Sequence, residues 1–164
     1  MSKLRRYFAP NQTCFITSVT ADRTPLLITY IDCLFQAASL AFSKSKTRPI
    51  AWVVLPDHFH AVLSCPDGDV TKVMQRLKLS FSLRLKSKVG TVGPVWQHRY
   101  WDHIIRDANE IEDFINYIHY NPVKHGYVDS PEDWRFSSYR QFVRMGCYGE
   151  GLVPAEVDIE LTGE

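Results

Sequence analysis

Apolar and polar positions alternate, then recur at helical spacing, then alternate again along this chain. The run TCFITSV (13–19) is β-branched and aromatic and predicts a first strand, which ADRT breaks. Pro25 can open a helix, and Leu26, Leu27, Ile31, Leu34, Phe35, Ala38 and Leu40 follow at the spacing of one helical face. IAWVVL (50–55) reads as a short buried strand, PD as a tight turn, and HFHAVLSC (58–65) as the returning arm of a hairpin. Asp69 is placed to cap a helix in which Val70, Met74, Leu77, Phe81 and Leu85 share a side. VGTVGP ends that helix, and a fourth strand is predicted over 101–106. In ANEIEDFINYIHYN, Ile111, Phe114, Ile115 and Ile118 mark the buried side of a third helix. Pro122 is expected to end it, because the residue before a proline is pushed out of the α region.

The order β-α-β-β-α-β predicts an α+β fold, the ferredoxin-like sandwich. It has a four-stranded antiparallel sheet with two helices on one face. The third helix is then left to cover the open face. Beyond it, Trp134, Phe136, Tyr139 and Phe142 either pack on the body or meet a partner. A chain of 164 residues suits one domain.

Composition changes this picture little; charge changes it more. The formal net charge is +1. Five acids and no base lie from Glu150 onward, and without them 19 basic residues face 13 acidic ones. Lys72, Arg76, Lys78, Arg84, Lys86 and Lys88 make the second helix basic, which suits a polyanion or, more plainly, a solvated helix face. Lys3, Arg5 and Arg6 form a basic arm that is solvated or grips phosphate. The N-terminus has no apolar run behind it, and no stretch approaches a membrane span. Cys14, Cys33, Cys65 and Cys147 show no CxxC spacing, which argues against a zinc cluster and for a reducing compartment. A cytoplasmic, nucleoid-associated protein is expected.

The chemistry begins at His58 and His60. On a strand, residues i and i+2 share a face, so both imidazoles point to the open side and Phe59 points to the helix-covered core. Such a pair can ligate a metal or be two ordinary hydrogen-bonded histidines. If the third helix lies over them, Tyr117 and Asn121, one turn and about 40° apart, are able to face the pair together, while Tyr120 turns to solvent. Asn121 offers an amide oxygen to a hard cation, or caps the helix before proline. Tyr117 is a candidate nucleophile, or a packing aromatic. Together, two neutral imidazoles and an amide oxygen leave a divalent ion its full charge to polarise a phosphate. The phenol then needs a base or a nearby cation. His119 projects about 160° from Asn121 and is a poor candidate for that base.

PDHFHAVL resembles the HUH motif (His, bulky hydrophobe, His) of single-tyrosine transposases. YIHYNPVKHGYV with the later DWRFSSY resembles their REP-associated tyrosine transposase branch, as do VWQHRYWDHIIRD and FITSVTADRTPLL. The resemblance covers most of 5–143, so it implies one transposase-like domain over 1–143 and an acidic tail over 144–164. It implies the ferredoxin-like fold, Tyr117 as nucleophile, and His58, His60 and Asn121 as ligands of Mg2+ or Mn2+. It also implies cleavage of single-stranded DNA beside imperfect palindromic hairpins, through a 5′-phosphotyrosine that a 3′-OH later attacks. The assembly is expected to be a monomer or a homodimer, with no membrane partner.

DNA contacts are expected from Arg5, Arg6, Lys72, Arg76, Lys78, Arg84, Arg99 and Trp101. For the loop that carries Arg99 and Trp101, with His98 and His103, packing is the alternative to stacking on unpaired bases. A non-catalytic single-strand-binding module is the rival function for the whole chain. A binder has no need of Tyr117 and Asn121 in register with the histidines. A zinc deaminase is disfavoured, because HxE and PCxxC are absent from the sequence.

Overall fold

A computed structural model describes residues 9–90, 93–148, 154, 157 and 159. The elements run β1 (Gln12–Val19), α1 (Ile31–Ser43), β2 (Arg48–Val54), β3 (His58–Cys65), α2 (Val70–Val89), β4 (Trp101–Ile105), α3 (Ala108–Lys124) and α4 (Tyr139–Arg144). The sheet order is β2-β3-β1-β4, and every pairing is antiparallel. This is the expected ferredoxin-like arrangement.

Alternation along the strands divides the interior in two. Phe59, Ala61, Leu63 and Cys65 of β3 join Cys14 and Ile16 of β1 on one face. There α1 presents Leu34, Ala37 and Ala41, and α2 presents Val70, Met74, Leu77, Phe81 and Leu85. Val62 joins Phe15, Ala51, Val53 and Leu55 on the opposite face, which α3 covers with Phe114, Tyr117 and Ile118. Ile159 also packs against this second cluster. Among the described residues no helix is long and apolar enough to cross a membrane.

Three local expectations are corrected. The first helix begins at Ile31 instead of Pro25. The segment before it is tied to the β2–β3 turn, with Thr20 N donating to Asp57 O at 2.8 Å and Leu27 N to Pro56 O at 2.9 Å. Leu26 N closes a three-residue turn on Thr24 O at 2.8 Å with Pro25 at its centre, so the chain is not helical at Pro25. Asp69 precedes α2 but makes no side-chain cap; its carboxylate takes the ammonium of Lys72 at 2.9 Å instead.

Pro122 does not end α3, which continues to Lys124. A proline lacks its own N–H, yet the carbonyls at and before it still accept. His125 N closes the last turn on Asn121 O at 3.0 Å, and Tyr127 N bonds Pro122 O at 3.0 Å. Asn121 is therefore inside the helix, and its side chain is available for something other than a cap.

Candidate active site

β3 supplies the first half of the site. His58 and His60 are 2% and 0% exposed, and their ring centroids lie 5.0 Å apart on the α3 side of the sheet. Each is held through Nδ1. His58 Nδ1 lies 2.6 Å from Asp57 Oδ1, and His60 Nδ1 lies 2.8 Å from the Thr17 hydroxyl. A carboxylate accepting from Nδ1 fixes the tautomer and turns the lone pair of Nε2 outward, the usual support for a metal-ligating imidazole. Thr17 can do the same for His60, because β1 and β3 set Thr17 and His60 directly opposite each other. Asp57 is itself held by Arg23 at 3.2 Å. Burial alone would raise the Asp57 carboxyl, but its hydrogen bonds and the charges of His58 and Arg23 prevail and lower it.

α3 supplies the second half. Its N-terminus is capped by Asp107, which accepts from Glu110 N at 3.0 Å. Its apolar side then seats Phe114 and Ile118, which fixes the rotation that brings Tyr117 and Asn121 inward. The Tyr117 ring lies 5.4 Å from His60 and 5.9 Å from Phe15, and the Lys124 ammonium sits 5.2 Å over its face. Asn121 is fully buried, and neither Oδ1 nor Nδ2 has a hydrogen-bond partner among the described residues. His58 Nε2 is likewise buried without one. A bare imidazole nitrogen and a bare amide buried in a core each cost about 1–3 kcal/mol, so each calls for a partner.

These donors fit a divalent cation: nitrogen from His58 and His60, amide oxygen from Asn121, and neutral ligation that leaves the cation its charge. No group of three His, Cys, Asp or Glu suited to a metal occurs among the described residues.

His119 is buried on the other side of α3. Its Nδ1 meets Tyr148 Oη at 2.7 Å and its Nε2 meets Ser138 Oγ at 2.8 Å. Burial pushes its pKa down to about 3, so the ring is neutral and faces away from Tyr117. Tyr120 is half-buried.

A family model described as "Transposase IS200 like" matches residues 14–121, a span that includes His58, His60, Tyr117 and Asn121. The chain is 33% identical over 151 residues to the REP-associated tyrosine transposase of Escherichia coli, covering 90% of this chain and 88% of that one. A Haemophilus influenzae protein provisionally given the same name is 34% identical over 177 residues, covering 100% and 99%. A solved REP-associated tyrosine transposase bound to a REP hairpin superposes with a TM-score of 0.85 at 31% identity, covering 99% of this chain and 96% of that one.

The chain belongs to the IS200-like transposases, in their REP-associated tyrosine transposase group. It is an enzyme of DNA transposition.

In this transposase the predicted DNA-contact residues do not gather at one place. Trp101 is on the side of the site: it meets Phe15 edge-on at 5.6 Å, and Phe15 stacks on His60 at 5.5 Å. Arg99 is exposed in the loop before β4. Lys72, Arg76, Lys78 and Arg84 belong to α2, across the sheet from Tyr117. Lys78 is occupied by Gln97 O at 2.9 Å, Arg76 by Lys44 O at 3.3 Å, and Arg84 by Gln36 and Ser80. Arg5 and Arg6 lie outside the described residues. His103 pairs with Glu110 at 2.7 Å.

Asp57 and Thr17, the groups that hold the two imidazoles, are not singled out by sequence. Asp57 adjoins His58 in PDH, but Thr17 can be found only from the strand register.

Proposed function

We propose that this transposase cuts and rejoins single-stranded DNA beside small imperfect hairpins, with Tyr117 as nucleophile and a 5′-phosphotyrosine as the covalent intermediate. The observation that carries the proposal is the bare, buried His58 Nε2 and Asn121 amide, with Asn121 one helical turn after a Tyr117 whose ring lies 5.4 Å from His60. The relative solved with a REP hairpin supports the hairpin as the kind of DNA recognised.

Tyr117 Oη gives its proton to solvent and attacks phosphorus, forming the tyrosyl O–P bond while the bond to O3′ breaks, and the departing oxygen takes a proton from solvent. Lys124 brings positive charge to the face of the attacking ring. His58, His60 and Asn121 would hold Mg2+ or Mn2+, which supplies Lewis acidity toward a non-bridging phosphate oxygen. Asp57 and Thr17 keep the two imidazoles in the ligating orientation. The phosphotyrosine bond replaces the phosphodiester, so a 3′-OH can displace Tyr117 and rejoin the strand without an external energy source.

The test incubates the protein with a labelled hairpin oligonucleotide and Mg2+ or Mn2+, followed by a denaturing gel. A covalent adduct is expected from the wild type and from Tyr120→Phe, and none from Tyr117→Phe. An adduct that persists in Tyr117→Phe assigns the nucleophile elsewhere.

A further inference from the structure

A row of aromatic rings leaves the site along the β2–β3 turn. It begins at His58, whose ring centroid is 5.2 Å from that of His125. Tyr127 follows at 6.1 Å, Trp134 at a further 5.4 Å, and Phe136 at 6.1 Å beyond. His125, Tyr127 and Trp134 are tilted by only 31° and 32° from ring to ring, so the three form a shallow fan. The fan is firmly seated. The Trp134 indole N–H donates to Val54 O at 3.0 Å, and Val54 N donates to Phe136 O at 2.9 Å.

The rings are also open to solvent. Tyr127 is 45% exposed, His125 is exposed, and Trp134 is half-buried. Packing alone does not place a ladder of rings on a surface, where each loses part of the apolar contact it would have in a core.

Charges of both signs flank the row: Asp129, Glu132 and Asp133 are exposed beside Trp134, Asp57 lies near Tyr127, and two cations lie along it. At this end of α3, Lys124 stands over Tyr117, and the Arg135 guanidinium lies 4.8 Å from the Phe136 ring centroid. At the opposite end, Asp107, Glu110, Glu112 and Asp113 crowd the first turns of α3. Open aromatic faces beside cations stack bases of either sequence while the cations meet phosphate.

We propose that His125, Tyr127 and Trp134 form a stacking track for the unpaired nucleotides next to the scissile phosphate, with Lys124 and Arg135 meeting their backbone. This rests on the reading of Tyr117 as nucleophile on single-stranded DNA. The track has a function the nucleophile lacks. It holds the strand by its bases, and so sets which phosphate lies at Tyr117.

Binding is measured by fluorescence anisotropy with protein carrying Tyr117→Phe, so that no cleavage intervenes. The probes are a bare hairpin, the hairpin with a short single-stranded extension on its 5′ or 3′ side, and the same extensions built from abasic nucleotides. An added Tyr127→Ala is expected to weaken binding of one intact extension roughly 5- to 100-fold and to leave the bare hairpin within about twofold. Tyr127→Phe should bind as Tyr127 does, since stacking uses the ring and not the hydroxyl. The abasic extension should bind as weakly to the parent as the intact extension binds to Tyr127→Ala. Equal loss on bare and extended hairpins, or no loss on either extension, overturns the track. Because this comparison uses affinity alone, it stays readable even if the adduct experiment assigns the nucleophile to another residue.

Discussion

On the α1/α2 face of the sheet, Leu34, Ala37, Met74, Leu77, Phe81 and Leu85 close over Phe59, Ala61 and Leu63. On the α3 face, the same strands set His58 and His60 beside Val62, and α3 adds Tyr117 and Asn121 to Phe114 and Ile118. Both faces exclude water equally well: Phe81 and His60 are each 0% exposed. They differ in what they do with hydrogen-bonding capacity. Ser18 Oγ on the α1/α2 side and Thr47 Oγ1 just before β2 are single hydroxyls without a partner, whereas on the α3 side His58 Nε2 and both polar atoms of Asn121 are bare. Apolar burial on the first face contributes stability that the unpartnered polar groups of the second partly offset.

The division can be broken from either side. The largest effect is expected from Phe81→Ala, which removes a fully buried ring from the α1/α2 face. It should cost about 3–5 kcal/mol in urea unfolding. Adduct yield per folded molecule should stay at the wild-type level, and a parallel fall in that yield would show that the two faces are not separable.

His119 provides the next. Its folded pKa of about 3 lies below the ordinary histidine value, so the folded state favours the neutral ring. The unfolded chain binds the proton first as pH falls. Stability is therefore fully present above the unfolded pKa and declines as pH drops through the window from about 6.5 toward 3, by about 2 kcal/mol at pH 5. His119→Gln keeps hydrogen-bonding groups near Ser138 and Tyr148 without this proton. Its denaturation midpoint should change less than the wild type's between pH 7.5 and 5.

The smallest effect on stability, and the one opposite in sign, is expected from Asn121→Leu. Replacing two unpartnered polar atoms with methyl groups should leave stability unchanged or raise it by about 1 kcal/mol, while the adduct disappears. A destabilised Asn121→Leu would mean that the amide is a structural anchor and not a ligand.

Much of this division could be read from the chain. Strict alternation in HFHAVLSC put His58 and His60 on one face and Phe59 on the other, because a strand has no freedom in its side-chain period. The apolar spacing of Phe114 and Ile118 fixed the rotation of α3, and with it Tyr117 and Asn121. What stayed hidden depends on partners far apart in sequence. Thr17 reaches His60 only because β1 and β3 pair in one register of several that alternation allows. The start of α1 at Ile31 follows from a tight turn at Pro25, closed by Leu26 N on Thr24 O, in a segment pinned to Pro56 through Leu27 N. The basic residues of α2 read as one patch in sequence, but they lie across the sheet from the candidate site. Lys78 and Arg84 among them brace neighbouring segments. Charge counted along a chain carries no information about which layer holds it.

His58 and His60 come from β3 and Tyr117 and Asn121 from α3, with α2 and β4 between them in the chain. A growing polypeptide therefore completes its histidine hairpin well before the helix that answers it has been made. The two halves meet when α3 docks on a sheet already paired, and they part again whenever that helix lifts away in a local opening. An incomplete or partly unfolded chain holds an imidazole pair without its tyrosine, or a tyrosine without its imidazole pair. The four candidate residues therefore share a site only while α3 is docked on the sheet.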